Sequence, residues 1–186
     1  MASPYDPDAK TPFSENPWPS KLTARVVSPG PEPRIHGYAV AADLAANYRF
    51  SDVIFLSLTG ELPTDEQART FERALILLSP ITIAEAPSHA ASLARVCDAT
   101  HSAVIGTGAI ALAEQARFMV ANARNEPELA PIFAMLEECG ISRDDQLETV
   151  WVVARIAVVA AEGLATPRAS FKDYPLNLPV VRYEEP

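Results

Sequence analysis

Three histidines are the side chains in this sequence best suited to acid–base chemistry or metal binding. His36 stands before Gly37 in a predicted loop, His89 near the start of a predicted helix, and His101 between two predicted helices. No two of them lie within four residues of each other, so the sequence predicts no HxxxH metal-binding face and no metal. For each histidine, a structural or solvated role is favoured over catalysis.

The acidic residues also fall in patterns that do not favour paired catalysis. Four pairs are immediate neighbours: Asp65-Glu66, Glu137-Glu138, Asp144-Asp145 and Glu184-Glu185. Adjacent positions on a helix point their carboxylates apart, so a general acid and a general base acting on one substrate are not expected there. The glycine-rich run GTGAIA at 106–111 lies inside a predicted helix with no strand before it, which makes it a poor phosphate-binding loop. Local motifs alone therefore identify no active site.

Charge and cysteine content narrow the class of protein. The net charge of −9 and the pI near 4.8 argue against a nucleic-acid or anionic-membrane surface, because phosphates would be repelled. Cys97 and Cys139 have no second cysteine or histidine at ligand spacing and are expected to be reduced thiols. MASPYDPDAK lacks the pattern of a secretory signal, and no uncharged apolar run reaches the roughly 20 residues of a spanning helix. The expectation is a cytoplasmic protein.

Proline marks the two ends of the chain. Residues 1–33 carry eight of the seventeen prolines, which predicts an extended arm, because proline removes backbone donors and fixes φ. Tyr5, Phe13 and Trp18 leave two interpretations of this arm open, a disordered leader or an arm docked on a neighbouring surface. Residues 167–186 are again interrupted by proline and are predicted to form a second extended arm.

Between the arms, residues 34–166 are predicted to form a series of helices. Apolar residues recur at helical spacing, and capping residues, glycines and prolines mark the boundaries. The predicted helices are AVAADLAANY, SDVIFLSLTG capped by Ser51-Asp52 and closed by Gly60, a segment from Pro63 to Pro80, one from Ser88 to about Asp98, one from about Ser102 to Asn122, ELAPIFAMLEECG, and RDDQLETVWVVARIAVVAAEG capped by Ser142. Gly106 and Gly108 are predicted to permit the close approach of another backbone. With no alternating strand longer than VVRY, the fold class is all-α.

Four segments, in order along the chain, carry a family resemblance. RIHGYAVAADL (34–44) is similar to an RGYdvedL segment, and FSDVIFLSLTGELPTDEQA (50–68) is similar to a segment ending in LLltGELPt. SHAASLARVCDATHSAVIGTGAIALAEQA (88–116) is similar to a pair of central helices. DQLETVWVVARIAVVAAEG, with VVRYEEP, is similar to a last helix and its RYxGP ending. Together they resemble the citrate synthase and citryl-CoA lyase family.

The resemblance implies the large-domain helical bundle of that family, with extended N- and C-terminal arms and an interlocked dimer. It implies the making or breaking of a carbon–carbon bond on an acyl-CoA, with the CoA thioester as substrate and no resident cofactor. In the family the C-terminal arm can place an arginine in the partner's site, and Arg182 in VVRYEEP is the residue to compare. Arg182 and His36 are the candidates for binding substrate.

Three departures from the family pattern imply that its catalytic residues have been lost. Where the family has Asp-His-Gly to hold a keto acid, this chain has Pro80-Ile81-Thr82. The second family histidine, in a GPLHGGA turn, would fall within ALAEQARFM (111–119), which contains none. The small domain would have to fit in NARNEP, so it is largely deleted. Enolising a thioester requires a base and an oxyanion partner around one carbon, which apolar residues cannot supply.

Three functions remain open. The first is a citrate-synthase-like protein without the usual catalytic residues, acting as a homodimer or as the partner of a full-length citrate-synthase-like paralogue in a citryl-CoA or acetyl-CoA enzyme system. The second is an active minimal citrate synthase or citryl-CoA lyase, with catalytic residues drawn from Glu85, His89, Asp98 and His101. The third is a binding module for a small acid or a fragment of CoA.

Overall fold

The computed structural model of the protein describes residues 23–28 and 30–168. The chain divides into two compact units, Met1–Tyr48 and Arg49–Pro186. Most of the predicted N-terminal arm and nearly all of the predicted C-terminal arm lie outside the described residues. The same holds for six residues named above: Tyr5, Phe13, Trp18, Arg182, Glu184 and Glu185. The predicted domain limits at residues 34 and 166 stay predictions.

The first unit contains a small antiparallel sheet in the order β1 (Val27–Ser28), β2 (Arg34–Ile35) and β3 (Tyr38–Ala39). Ile35 pairs with Tyr38, which leaves His36 and Gly37 as a two-residue hairpin turn. Their φ angles are 46° and 87°, and two consecutive positive φ values are what a type I′ turn requires. The sequence predicted the loop at His36 but not these strands, because two residues are too few to show alternation.

The segment AVAADLAANY forms a less regular element than the single α-helix predicted for it. One turn of π-helix, Val40–Leu44, is followed by α1, Ala45–Asn47. The Asp43 carboxylate accepts a hydrogen bond from the backbone N–H of Ala39 at 2.8 Å. A side chain thus satisfies a donor that the start of a helix leaves unpaired.

The described part of the second unit is helical: α2 (Phe50–Thr59), α3 (Asp65–Leu78), α4 (Ala86–Val96), α5 (His101–Asn122), α6 (Ala130–Glu138) and α7 (Asp144–Ala165). This confirms the all-α fold class. Only a 3₁₀ turn, Ala123–Asn125, and a short loop connect α5 to α6. No domain is inserted between these two helices.

Two predicted caps are wrong for the same physical reason. Helix α2 begins one residue before Ser51, with Arg49 as its N-cap residue, and the Asp52 carboxylate accepts the Arg49 backbone N–H at 2.9 Å. Helix α7 has Arg143 rather than Ser142 as its N-cap residue, and the side chain of Gln146 accepts the Arg143 N–H. In both helices the capping acceptor stands three residues inside the helix and reaches back.

Two other boundaries depend on glycine and proline. Gly60 ends α2 with a φ of 84°, so the predicted left-handed closure is confirmed. Helix α4 begins at Ala86, two residues earlier than the predicted Ser88, with Pro87 in its first turn. Proline is compatible with this position because the first N–H groups of a helix have no intrahelical acceptor.

Helices α4, α5 and α7 form the centre of the second unit and pack tightly around Ala91. A Cβ atom added to Gly108 would lie 2.7 Å from Cγ1 of Val159 and 3.2 Å from Cβ of Ala91. One added to Gly163 would lie 2.7 Å from Cβ of Ala91 and 2.9 Å from Cγ1 of Val104. Contacts this short leave room for hydrogen alone.

The two glycines of α5 differ. The close approach predicted at Gly108 is confirmed, whereas the one predicted at Gly106 is not found in the described part of the chain, where a Cβ there would meet nothing within 4 Å. Gly106 lies on a less buried side of α5, which sequence spacing alone could not reveal.

Aromatic residues fill the space between α2, α3, α6 and α7. Phe55 and Phe71 meet edge to face with ring centroids 5.5 Å apart, and Phe133 lies 6.4 Å from Trp151. Trp151 and Phe71 are the largest fully buried side chains in the described residues. These aromatic contacts connect α2, α3 and α6 to α7, and α7 is also one of the three helices at the centre of the unit.

The length and composition of helix α5 contradict the expectation that no helix could span a membrane. Among the described residues, His101–Asn125 is long and apolar enough for a span by length and composition, with a mean hydropathy of 1.2. Only 28% of that window is buried. One such helix is weak evidence for a span, because core helices of soluble proteins pass the same test.

Candidate functional site

A buried arginine on α7 is the centre of a cluster of hydrogen-bonded polar side chains in the second unit. The Arg155 side chain is 9% exposed, and its guanidinium carbon lies 3.8 Å from the centroid of the Trp151 ring. Its Nη1 donates to Oε2 of Glu85 at 3.0 Å. Burial lowers the pKa of Arg155, and the adjacent Glu85 carboxylate opposes that shift. Arginine nevertheless stays protonated in proteins, so the cluster holds a fixed positive charge.

Glu85 receives hydrogen bonds on both carboxylate oxygens. Besides Arg155, the side-chain amide of Gln115 donates to Oε2 at 3.0 Å, and the backbone N–H of Thr82 donates to Oε1 at 2.9 Å. The indole N–H of Trp151 in turn donates to Oε1 of Gln115 at 3.4 Å. Glu85 is also the N-cap residue of α4, where the helix dipole favours an anion.

One polar atom of this cluster stays without a partner among the described residues. It is Nε of Arg155, whose side chain is buried. Buried donors are nearly always paired in proteins, so Nε is a donor that the cluster leaves unused.

Two of the three histidine candidates belong to the second unit, and one of these, His89, lies one helical turn from Glu85. His89 lies in the first turn of α4 and is exposed, and its backbone N–H donates to the carbonyl of Glu85. His101 is the exposed first residue of α5. Gln115 marks the level of Glu85 on α5, so His101 lies about 20 Å away along the helix axis at 1.5 Å per residue. His36 lies in the hairpin turn of the first unit.

Asp98, the remaining catalytic candidate, lies just beyond the C-terminal end of α4. It has a φ of 60° and an ion pair with Arg168 at 2.8 Å, with both side chains exposed. Glu85 and Asp98 are thus at opposite ends of one helix. The structure joins Glu85 to Arg155 and Gln115 by hydrogen bonds, whereas His101 and Asp98 lie elsewhere in the second unit.

The GELP motif lines a surface cleft instead of this cluster. Two adjoining clefts, of about 250 and 320 Å³, share Gln67 and Cys139. Their carboxylates are Glu61 of the motif, Glu66 and Glu138. Three acidic side chains would repel the phosphates of a CoA ester, so these clefts do not suit that substrate.

Cys139 between the two clefts is an unreactive thiol. It is 3% exposed, and Sγ contacts the Gln67 carbonyl oxygen at 3.8 Å. Burial, followed by the carboxylates of Glu138 and Glu66, raises the pKa of Cys139. A nucleophilic cysteine needs the opposite environment, because the thiolate is the reactive form.

The residues that sequence reasoning missed are Arg155, Trp151 and Gln115. One signal was present in VWVVARIAVVAA, where a single arginine interrupts an otherwise apolar helix four residues after a tryptophan. A charged residue on the buried face of a helix must find a counter-charge elsewhere in the fold. That counter-charge, Glu85, is 70 residues away in sequence, which no local pattern could connect.

The all-α architecture, with α4, α5 and α7 at its centre, is a citrate synthase or citryl-CoA lyase-like fold, which confirms the resemblance found in the sequence. Among solved structures, the citryl-CoA lyase from Hydrogenobacter thermophilus is similar to this chain with a TM-score of 0.60 and 15% sequence identity. The match covers 89% of this chain and 95% of that chain. No protein-family model and no curated protein matches the sequence. The likeness therefore establishes the fold.

Proposed function

We propose that this protein is a citrate-synthase-like subunit without the usual catalytic residues, which functions by association in a citryl-CoA or acetyl-CoA enzyme system of the cytoplasm. Its partner is a second copy of this chain or a full-length citrate-synthase-like paralogue. The observation that supports this proposal most strongly is the uncovered apolar face of α5.

That face carries large hydrophobic side chains in solvent. Ile110 is 71% exposed, and Phe118, eight residues further along the same face of α5, is 67% exposed. A large apolar patch on a folded protein usually marks an interaction surface, because its burial is favourable by about 25 cal/mol per Å².

A protein partner fits this face better than a membrane does. Glu114 and Arg117 lie between Ile110 and Phe118 along α5, pair at 3.8 Å, and are about 70% exposed. A charged pair in the middle of a span would have to lose its water to hydrocarbon, which is costly. A protein interface can keep such a pair at its rim or match it with charges of its own. The other side of α5 is fixed in the helical centre at Gly108.

One pair of matched variants tests the surface. Ile110→Glu places a charge on the proposed interface, and Ile76→Glu makes the same change at a similarly exposed isoleucine (65%) on α3. We expect light scattering to report a dimer, or a complex with the purified paralogue, for the wild type and for Ile76→Glu. For Ile110→Glu the complex should dissociate at concentrations where the wild type is assembled. A wild type that is monomeric and does not bind the paralogue would overturn the proposal.

The second candidate is an active minimal citrate synthase or citryl-CoA lyase. One observation favours it, namely that a carboxylate and a guanidinium are held together at Glu85 and Arg155. Both Glu85 oxygens already accept hydrogen bonds from the protein, which disfavours their use as a base toward substrate. We expect no turnover of citryl-CoA, or of acetyl-CoA with oxaloacetate, by the isolated protein. Turnover that is lost in His89→Ala would establish this second candidate instead.

A further inference from the structure

We propose that the guanidinium of Arg95, near the end of α4, is the docking point for the chain's own C-terminal segment, which it binds through the carboxylate of Asp173. The C-terminal segment is residues 169–186, which lie outside the described residues. This inference does not rest on the proposed function, because the contact lies within a single chain and requires neither a partner subunit nor catalysis.

The Arg95 side chain carries donors that the described chain leaves unpaired. Its Nε and Nη1 atoms are buried and have no hydrogen-bond acceptor among residues 23–28 and 30–168. Arginine stays protonated in proteins, so the side chain cannot become neutral to escape this environment. Buried donors are nearly always paired, and a desolvated charge without a partner is costly. These two unpaired nitrogens therefore predict an anionic acceptor from outside the described residues. Arg95 is only partly buried, which leaves a side from which the acceptor can approach.

Arg95 lies on the side of α4 against which α7 ends. A Cβ atom added to Gly163, near the end of α7, would lie 2.7 Å from Cβ of Ala91 on α4. The hydroxyl oxygens of Thr166, just after α7, and Ser92 on α4 are 3.0 Å apart. Residues three and four apart on a helix share one side, so Arg95 follows these two α4 residues one turn later. The end of α7 thus leads the chain toward Arg95.

A further contact keeps the chain beside Arg95 immediately before the C-terminal segment. Arg168 pairs with Asp98 at 2.8 Å, and the backbone N–H of Asp98 donates to the carbonyl of Arg95 at 3.0 Å. The carboxylate of Asp98 is therefore engaged by Arg168 although it follows Arg95 by only three residues. The C-terminal segment begins at this corner of the fold.

Asp173 is the acidic residue of the C-terminal segment that can reach this corner through the shortest loop. It is the first acidic residue after Arg168, and residues 169–173 span up to about 17 Å when extended. The other two acidic residues, Glu184 and Glu185, come eleven and twelve residues later. Closing a longer loop costs more chain entropy. A carboxylate also forms some of the strongest hydrogen bonds that a guanidinium makes.

The contact assigns the beginning of the C-terminal segment to its own subunit. Residues 169–173 then cross the corner between α4 and α5, and the thirteen residues that follow start from a fixed point near the first turn of α5. Loss of either charge should release the whole segment from this corner.

The test is limited chymotrypsin digestion of the purified full-length protein, with cleavage after Phe171 measured by mass spectrometry. Arg95→Asp places two like charges at the contact, so we expect it to increase the cleavage rate severalfold over the wild type. The charge-swapped double variant Arg95→Asp/Asp173→Arg should be cleaved severalfold more slowly than Asp173→Arg alone. Each comparison is between chains with the same C-terminal sequence, so the intrinsic susceptibility of the bond is constant.

The matched control moves the same charge to another acidic residue of the C-terminal segment. Arg95→Asp/Glu184→Arg should be cleaved at least as fast as Glu184→Arg alone. The proposal is overturned if Arg95→Asp does not slow the cleavage of Asp173→Arg. It is overturned as well if Arg95→Asp slows the cleavage of Glu184→Arg to the same extent.

A second measurement applies if Arg95→Asp does not fold. Asp173→Asn should lower the thermal midpoint by about 2–4 °C in the wild-type background and leave it unchanged in Arg95→Met, because the contact is already absent there. An equal effect in both backgrounds overturns the proposal. If sodium phosphate raises the midpoint above that in sodium chloride of equal ionic strength, equally in the wild type and Asp173→Asn but not in Arg95→Met, Arg95 binds a free anion and the assignment to Asp173 is wrong.

Discussion

Arg155 and Trp151, four residues apart on α7, are stacked with the guanidinium carbon 3.8 Å from the ring centroid. The contact directs the Arg155 side chain toward Glu85 and away from solvent. Helix α7, whose sequence is apolar immediately before and after Arg155, therefore carries one buried charge. The partners of the resulting ion pair differ in exposure, with the Arg155 side chain 9% exposed and the Glu85 side chain 31% exposed.

This difference in exposure predicts that removing the Glu85 side chain and removing the Arg155 side chain lower the free energy of unfolding by unequal amounts. Glu85→Ala should lower the free energy of unfolding by about 2–3 kcal/mol, because it leaves a buried cation without its counter-charge. Arg155→Met should cost less, about 1 kcal/mol, because water can reach the carboxylate that remains and an apolar side chain replaces the buried charge. Urea denaturation of both variants in a buffer free of carboxylates measures the two losses. Equal losses, or a larger loss for Arg155→Met, would contradict the assigned burial.

Replacement by alanine is expected to have opposite effects on stability at the two glycines of α5. Gly108→Ala should lower the free energy of unfolding by about 1–3 kcal/mol, because the new methyl group collides with Val159 and Ala91. Gly106→Ala meets no neighbour within 4 Å, so it should raise stability by about 0.5–1 kcal/mol through helix propensity. Thermal or urea unfolding distinguishes them, and a destabilised Gly106→Ala with an unaffected Gly108→Ala would reverse the assignment of the two faces.

The two cysteines should react with thiol reagents at very different rates. Cys97 is exposed and Cys139 is buried. At mildly alkaline pH we expect one thiol to be labelled rapidly and the second only as fast as the protein opens. Cys97→Ser should abolish the fast phase and Cys139→Ser the slow one. Two fast phases in the wild type would show that Cys139 is accessible.

Cys139 also predicts a dependence of stability on alkaline pH. Its pKa is raised in the folded state, chiefly by burial, so the native protein holds the thiol proton more strongly than the unfolded chain does. The associated stability is complete below the ordinary thiol value of 9.0 and is lost as the pH rises from there through the higher pKa of the folded state. The stability of the wild type relative to Cys139→Ala should therefore decline as the pH is raised from about 9 to about 11. A difference that stays constant over this range would contradict the shift.

The hairpin turn predicts that His36 is replaceable and that Gly37 is not. His36→Asn should leave the β2–β3 pairing intact, because asparagine readily adopts the positive φ found there. Gly37→Val should weaken it by about 1–2 kcal/mol, because a β-branched side chain is strained at a φ of 87°. Amide exchange in Arg34 and Ala39, which face each other across the hairpin, reports the difference. Rapid exchange in His36→Asn would show that the imidazole itself holds the turn.

The fold was predictable because the signals that define it are local and repeated. Gly60 closes α2 through an interaction within a few residues, so its position in the sequence was enough to predict the end of that helix. Helix α3 begins at Asp65, two residues after the predicted start at Pro63. Caps at Arg49 and Arg143 were not predictable from residue type at the cap, since the accepting side chains, Asp52 and Gln146, stand inside the helices.

The candidate site was predictable only in part. Glu85 was among the candidates taken from the sequence, but its partners Arg155 and Gln115 lie 70 and 30 residues away. Their meeting depends on how α4, α5 and α7 pack, and that packing depends on contacts such as Gly163 against Ala91. Those contacts involve three helices at once, so the hydrophobic periodicity of any single helix does not reveal them.

The absence of side chains at Gly108 and Gly163 has a mechanical consequence. Helices that meet methyl group to backbone cannot slide or tilt without collision, so α5 and α7 hold their spacing as a stiff frame. A molecule that binds the outer side of these helices therefore meets a rigid surface. Any conformational change that binding requires must occur in that molecule.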